Sequence, residues 1–263
     1  MNRSNRPLAL VTGASSGIGI ELARELARDG HDLVLSARRI ESMQRLAEEL
    51  ASYGAQVTII AADLSKPGAA AGLVDELVAR GLAIDVLINN AGLGGAGRFD
   101  RMDPVRVSEM LQVNIVALTE LTRFLIPGMV SRGRGKIMLV GSIAGFQPGP
   151  KMAVYFASKA YVLSLGEALA YELRGTGVTV TVLCPGATAT EFFAVAGADN
   201  TQMANRYRRM MRADAVARLG YRALAAGKYV VITGAVNRFL ALGGRYAPHW
   251  LSLPITNKLM SGE

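Results

Sequence analysis

Cysteine is nearly absent: Cys184 is the only one in 263 residues, so no internal disulfide can form. Stability has to come from a buried core, which a chain of this length and 51% apolar content can supply. A reducing compartment fits, and a cytoplasmic location is expected. Histidine is as scarce. His31 and His249 stand far apart and Cys184 has no neighbour at ligand spacing, so no metal site is expected. No uninterrupted apolar run is long enough to cross a bilayer. Met1–Pro7 leads straight into an apolar stretch that reads as a strand of the fold, so no secretion signal is expected. Acid is missing from one region: between Ala204 and Arg245 nine Lys and Arg stand against Asp214 alone, an excess equal to the whole net charge of +8. Solvated helix faces account for most of these cations, and attraction to an anionic substrate, carrier or membrane surface is the sharper use. No recognition motif accompanies the charge, so nucleic acid is not an expected partner.

What is present is alternation. Short β-branched runs at Leu8–Thr12, Asp32–Ser36, Gln56–Ala61, Asp85–Asn89, Lys136–Val140, Thr179–Cys184 and Tyr229–Ile232 read as seven strands buried on both faces. Between them lie helical stretches. Gly17–Asp29 stops at Gly30 and Glu41–Tyr53 at Gly54. Ser65 is the expected N-cap of a helix running to Arg80, with Pro67 in its first turn. Asp103-Pro104 opens a long helix towards Ile126, and Ala153–Arg174 and Asp214–Ala226 supply two more. The pattern predicts an α/β fold: a doubly wound parallel sheet, ordered 3-2-1-4-5-6-7, with right-handed crossovers. One catalytic domain is expected over residues 1–234, with an extension over 235–263 packed on it.

The first βα turn reads Thr12-Gly13-Ala14-Ser15-Ser16-Gly17-Ile18-Gly19. Glycines at 13, 17 and 19 let the backbone turn tightly and approach a pyrophosphate, at which the next helix aims its N-terminal N–H groups. The spacing GxxxGxG resembles that of the short-chain dehydrogenase/reductase family, and the resemblance extends along nearly the whole chain. Asn89-Asn90-Ala91-Gly92 is similar to the family's NNAG, Tyr155-Phe156-Ala157-Ser158-Lys159 to its YxxxK, and Pro185-Gly186 with Thr190 to its PGxxxT; Thr188 lies within that last motif. Ser142 follows the fifth strand and Asn114 lies on the long helix, where the family keeps catalytic residues. The resemblance implies an NAD(P)-dependent oxidoreductase. Gly13, Arg38, Asp63, Asn90, Ser142 and Pro185 each follow a different strand at its C-terminal end, which is where an open doubly wound sheet has its ligand crevice.

Tyr155 and Lys159 are four apart on a helix and so share a face. A free phenol titrates at about 10, and a nearby ammonium is expected to lower that value. In reduction Tyr155 would protonate the carbonyl oxygen, which Ser142 would hold. The resemblance adds that Lys159 grips the nicotinamide ribose and that Asn114 holds a water relaying protons to it. It also assigns adenine contacts to Asp63 and Leu64. After the second strand, Ala37 stands where an acid would bind the adenosine ribose diol, and Arg38 and Arg39 follow; guanidinium suits a 2′-phosphate, so NADP(H) is the expected cofactor in preference to NAD(H).

Cys184 reads as core, while Met203, Met210 and Met211 could equally be substrate contacts or packing. The segment Ala235–Glu263 carries Phe239, Leu240, Leu242, Tyr246, Trp250, Leu251, Leu253 and Ile255 with Arg238, Arg245 and Lys258 among them. So much apolar surface must cover the substrate cleft, join an interface or touch a membrane. Membrane contact is allowed without being required. The preferred arrangement is a homodimer through Asp75–Arg80 and Pro104–Ile126, with the tail at the active-site mouth. The specificity loops Leu93–Met102, Phe146–Met152 and Glu191–Met211 are apolar or basic, which favours an apolar or anionic carbonyl substrate. A cofactor-binding regulator without turnover, an epimerase or dehydratase, and a membrane-associated scaffold are the rival readings.

Overall fold

The computed structural model describes residues 6–198 and 211–261. Seven parallel strands form one sheet: β1 (Leu8–Thr12), β2 (Asp32–Ser36), β3 (Val57–Ile59), β4 (Val86–Asn89), β5 (Gly135–Val140), β6 (Val178–Cys184) and, after a short ribbon of β7 (Thr188–Ala189) with β8 (Met211–Arg212), β9 (Val230–Ile232). The order is β3-β2-β1-β4-β5-β6-β9, as the alternation predicts. Strand residues alternate between two apolar layers, because successive side chains point to opposite faces. Leu10, Val34, Leu87, Ile137 and Val180 face one layer, and Val11, Leu35, Ile88, Met138 and Leu183 the other.

Helices cover both layers. On one side lie α1 (Gly17–Arg28), α2 (Ile40–Ala51) and α8 (Ala213–Ala225). On the other lie α3 (Ala69–Ala79), α4 (Pro104–Leu111), α5 (Leu118–Ser131) and α6 (Ala153–Glu172). A short α7 (Phe192–Val195) follows β7. The tail forms α9 (Ala235–Tyr246) and α10 (His249–Leu259). Gly30 and Gly54 end α1 and α2 at φ +84° and +73°, which only glycine adopts without strain.

Two expectations are corrected. Ser65 does not cap α3. Its hydroxyl donates to the Asp63 carboxylate at 2.8 Å in a turn, and the helix begins only at Ala69, after Gly68 in a left-handed conformation at φ +78°. The local side-chain bond wins over the cap. Nor is the chain free of a stretch apolar enough to cross a bilayer. α4 and α5 join through a π-helical turn, Gln112–Ala117, into a single 28-residue helix, Pro104–Ser131, whose most apolar window has a mean hydropathy of 1.4. It packs on the sheet through Met110, Val113, Ala117, Leu118, Leu121 and Met129, which accounts for much of that apolar content. Asp103 caps it, accepting from the Val105 N–H at 3.0 Å.

Gly166 lets α6 lie flat on β6, since a Cβ there would run into the Val182 side chain. Overpacking a close contact costs about 1–3 kcal/mol. Gly166→Ala is therefore expected to lower the urea unfolding midpoint and to displace α6, and unchanged unfolding would show that the contact is slack.

Candidate active site

The C-terminal ends of the strands open on one cavity of about 430 Å³. Of the residues predicted to bind cofactor or act in catalysis, all line it except Gly19 and Asn114. Gly19 is buried beneath the glycine turn, where a Cβ would strike the Gly13 carbonyl and come within 2.5 Å of the Asn90 amide. Gly13 and Gly17 adopt φ +65° and +56°, and a Cβ on Gly17 would approach the Thr190 methyl at 2.9 Å. α1 starts at Gly17 with no side chain capping it and no acid in its first turn. Its N–H groups face the cavity available to an anion. This bare cradle fits the pyrophosphate of a dinucleotide.

Beside the turn, the Thr12 hydroxyl accepts from the Asn90 and Ala91 N–H groups, each at 3.1 Å, and the Asn90 side chain donates to the Thr12 and Gly13 carbonyls. Asp63 accepts from both the N–H and the hydroxyl of Ser65; these bonds and the nearby Arg38 and Lys66 outweigh desolvation and hold its carboxyl below the usual range. Arg38 and Arg39 part company. Arg39 donates to the Ser15 carbonyl at 3.1 Å and pairs with Glu191 at 2.9 Å across the cleft mouth, while Arg38 lies exposed near Asp63.

Ser142, Tyr155 and Lys159 meet deeper in. The Ser142 hydroxyl donates to the Pro185 carbonyl at 3.5 Å and accepts from the Ala144 N–H at 3.1 Å, and its closeness to the Tyr155 phenol favours the phenolate. Lys159 is buried, donates to the Val140 carbonyl at 2.8 Å and lies 5.8 Å from the Tyr155 ring centre. The expected lowering of the phenol by the ammonium is corrected here. Burial dominates both groups, pushing Tyr155 up to about 12, against the lowering influence of Ser142, and Lys159 down to about 8. Asn114 stands in the π-helical turn, with both amide hydrogens committed: one to the Leu93 carbonyl at 2.9 Å, one to the Ser158 hydroxyl at 3.0 Å. Its oxygen accepts from the Leu93 N–H at 2.8 Å. Its side chain thus clamps the loop after β4.

Sequence reasoning placed Met152 and Phe192 in apolar specificity loops and the tail at the active-site mouth, without singling out Phe156 or Met260. Phe192 lies against Tyr155 with ring centres 5.1 Å apart, and Met152, Phe156 and Met260 pack together beside them. Thr256, Leu259 and Met260 bring α10 to the cavity. Gln147 also lines the cavity and packs on Gly244 of α9. Cys184 is fully buried, as a core residue is. Met203, Met210, Arg206, Arg208 and Arg209 lie outside the described residues. No group of His, Cys, Asp and Glu able to hold a metal occurs among the described residues.

Comparison with known proteins adds a family. The family described as short chain dehydrogenase matches residues 7–201. The 1-deoxy-11-beta-hydroxypentalenate dehydrogenase of Streptomyces exfoliatus is 39% identical over 185 residues, 69% of this chain and 67% of that protein. A short-chain dehydrogenase from Sphingobium yanoikuyae, solved in complex with NADPH, is 35% identical with a TM-score of 0.81 over 90% of this chain and 92% of that one. A short-chain dehydrogenase/reductase from Burkholderia phymatum, solved with NAD, is 27% identical with a TM-score of 0.82 over 92% and 94%.

Replacing Asn114 by Ala would strand the Leu93 N–H and carbonyl, while the Ser158 hydroxyl keeps its bond to the Tyr155 carbonyl at 2.7 Å. Unsatisfied buried groups cost roughly 1–3 kcal/mol each. The expected result is faster amide exchange at Leu93–Ala96 and lower stability; protection equal to wild type there would mean the clamp is dispensable.

Proposed function

The chain belongs to the short-chain dehydrogenase/reductase family, and on that premise we propose that it is an NADPH-dependent carbonyl reductase, reversible as an alcohol dehydrogenase, with Tyr155 as its general acid and base. The observation that carries this reading is the convergence of Ser142, Tyr155 and Lys159 in the same cavity as the bare glycine cradle. Bound there, the dinucleotide supplies or accepts the hydride. The protein's own groups do the rest. The cradle of Gly13, Ser15, Ser16, Gly17 and Ile18 would hold the pyrophosphate, with Asn90, Ala91 and Gly92 lining the floor. Pro185, Gly186, Thr188 and Thr190 would close the far side.

Ser142 holds the carbonyl oxygen and Tyr155 gives it a proton as the carbon is reduced; in oxidation Tyr155 takes the alcohol proton as its own passes to neutral Lys159. Lys159 replaces the proton that Tyr155 loses. The wall of Met152, Phe156, Phe192 and Met260 suits an apolar carbonyl compound. Cofactor choice is assigned to Arg38. Ala37 offers no charge to repel a 2′-phosphate, Arg39 is engaged by Glu191, and Arg38 stands exposed at the end of β2. Assembly is assigned to a homodimer through the end of α3 and the long helix Pro104–Ser131, on which Leu111, Val116, Phe124 and Val130 are exposed.

Tyr155→Phe keeps the ring and removes the proton, so turnover is expected to fall by roughly 10²–10⁴-fold while NADPH binding survives. Near-normal turnover on an accepted ketone would overturn the assignment. The pH dependence has a definite sign. Tyr155 stays protonated through the neutral range, and Lys159 is an ammonium only below about 8, so reduction is expected to decline as pH rises through that value and oxidation to increase. Initial rates in both directions across pH 6 to 10, an interval of about two pH units either side of that midpoint, test it. Arg38→Ala is expected to weaken NADPH roughly 10- to 100-fold through loss of a charge-assisted phosphate contact, with NADH little changed. Equal effects on the two cofactors in a binding titration would remove Arg38 from that role.

A further inference from the structure

The tail is built inside out for a helix pair in water. α10 turns Ser252 and Thr256 to the protein, both buried, and turns Trp250, Leu251 and Ile255 outwards. An amphipathic surface helix does the reverse. The Ser252 hydroxyl is buried without a hydrogen-bond partner, and the Thr256 hydroxyl donates to the Ser252 carbonyl at 2.9 Å. α9 shows the same outward apolar face: Val236, Phe239 and Tyr246 are 72%, 77% and 78% exposed, and Trp250 on α10 is 77% exposed. Large apolar side chains this bare and this close in sequence form a patch that an isolated soluble surface does not normally keep.

Charge says what the patch fits. From Ala235 to Ser261 the chain has Arg238, Arg245 and Lys258 and no Asp or Glu. All three cations are exposed. A second copy meeting this face would set cations against cations. An anionic phospholipid surface offers apolar volume beneath a layer of negative charge, with an interfacial zone that Trp and Tyr favour. Helices of 12 and 11 residues are too short to span a bilayer and long enough to lie in its surface.

We propose that the outer face of α9 and α10 docks on an anionic lipid bilayer. The inner face of α10 contributes Thr256, Leu259 and Met260 to the cavity that holds Tyr155, so one helix separates the cleft from the bilayer. On the redox reading above, this brings the cleft to apolar carbonyl compounds dissolved in the membrane. Docking itself is independent of turnover, so its test and that of the redox reading fail separately.

Trp250 is the only tryptophan in the chain, which makes it a direct reporter. The full-length protein is mixed with phosphatidylcholine vesicles, with or without phosphatidylglycerol, and followed by tryptophan emission and by co-sedimentation. The expected result is a blue shift and sedimentation with the anionic vesicles only, both reversed by high salt. Arg238→Ala and Arg245→Ala should each weaken binding to the anionic vesicles roughly fivefold, and Phe239→Ser should weaken it with its salt dependence unchanged, all three retaining NADPH binding as the check on folding. Protein left in the supernatant with unshifted emission overturns the proposal. So does emission that is already blue without vesicles and turns red as an oligomer dissociates in Phe239→Ser, which would assign the face to a second copy. Should the variants fail to bind NADPH, the lipid and salt series on the unmodified protein decides.

Discussion

Where β1 and β4 part, the Asn90 side chain donates to the Thr12 and Gly13 carbonyls at 3.0 and 3.2 Å, and the Thr12 hydroxyl accepts two N–H groups from the other side. These bonds bring the glycine turn against the end of β4 so closely that Gly19 has no room for a Cβ. The start of α1 is thereby fixed with its N–H groups facing the cavity, and the cavity floor is fixed with it. The sheet order places β1 at the point where the winding reverses, so this one close approach sets the crevice in which the other motifs meet.

Tyr155 and Lys159 sit under opposed pressures. Burial keeps the Tyr155 phenol protonated and draws the Lys159 ammonium down towards neutrality, two effects of one low-dielectric wall. The wall comes from separate parts of the chain: Met152 and Phe156 at the start of α6, Phe192 from α7, and Met260 from the tail. In the proposed reduction, a proton donor shielded in this way would be spared water's competition for the substrate oxygen. The Arg39–Glu191 pair joins the cofactor end of the cleft to the segment carrying Phe192, so the polar and apolar ends of the cavity are mechanically tied.

The tail resolves one demand by creating another. Met260 and Leu259 complete the wall around Tyr155, which needs α10 to lie across the cavity. Ser252 and Thr256 occupy the buried side of that helix beside Leu259, while Trp250, Leu251 and Ile255 face outwards. The same helix therefore belongs to two surfaces, and the second is apolar with a cationic fringe.

The order of the sheet and the positions of most helices followed from the sequence, because strands buried on both faces carry unbroken β-branched runs and glycine marks the helix ends where only it fits, as at Gly30 and Gly54. The glycine turn, the Tyr155–Lys159 spacing and the polar residues at the strand ends were legible for the same reason: their geometry is local, or follows from a regular topology. Tertiary structure decided what depends on distant partners. It drew Ser65 away from the α3 cap to Asp63, and it gave Arg39 to Glu191 across 152 positions of chain. Asn114 became a clamp on Leu93, through a π-helical turn that no residue pattern announced. Burial alone set the direction in which Tyr155 titrates, and burial is a property of what the chain brings around a residue from elsewhere. The apolar content of the tail was plain in its sequence; which of its faces meets the cavity and which faces outwards was settled only by packing.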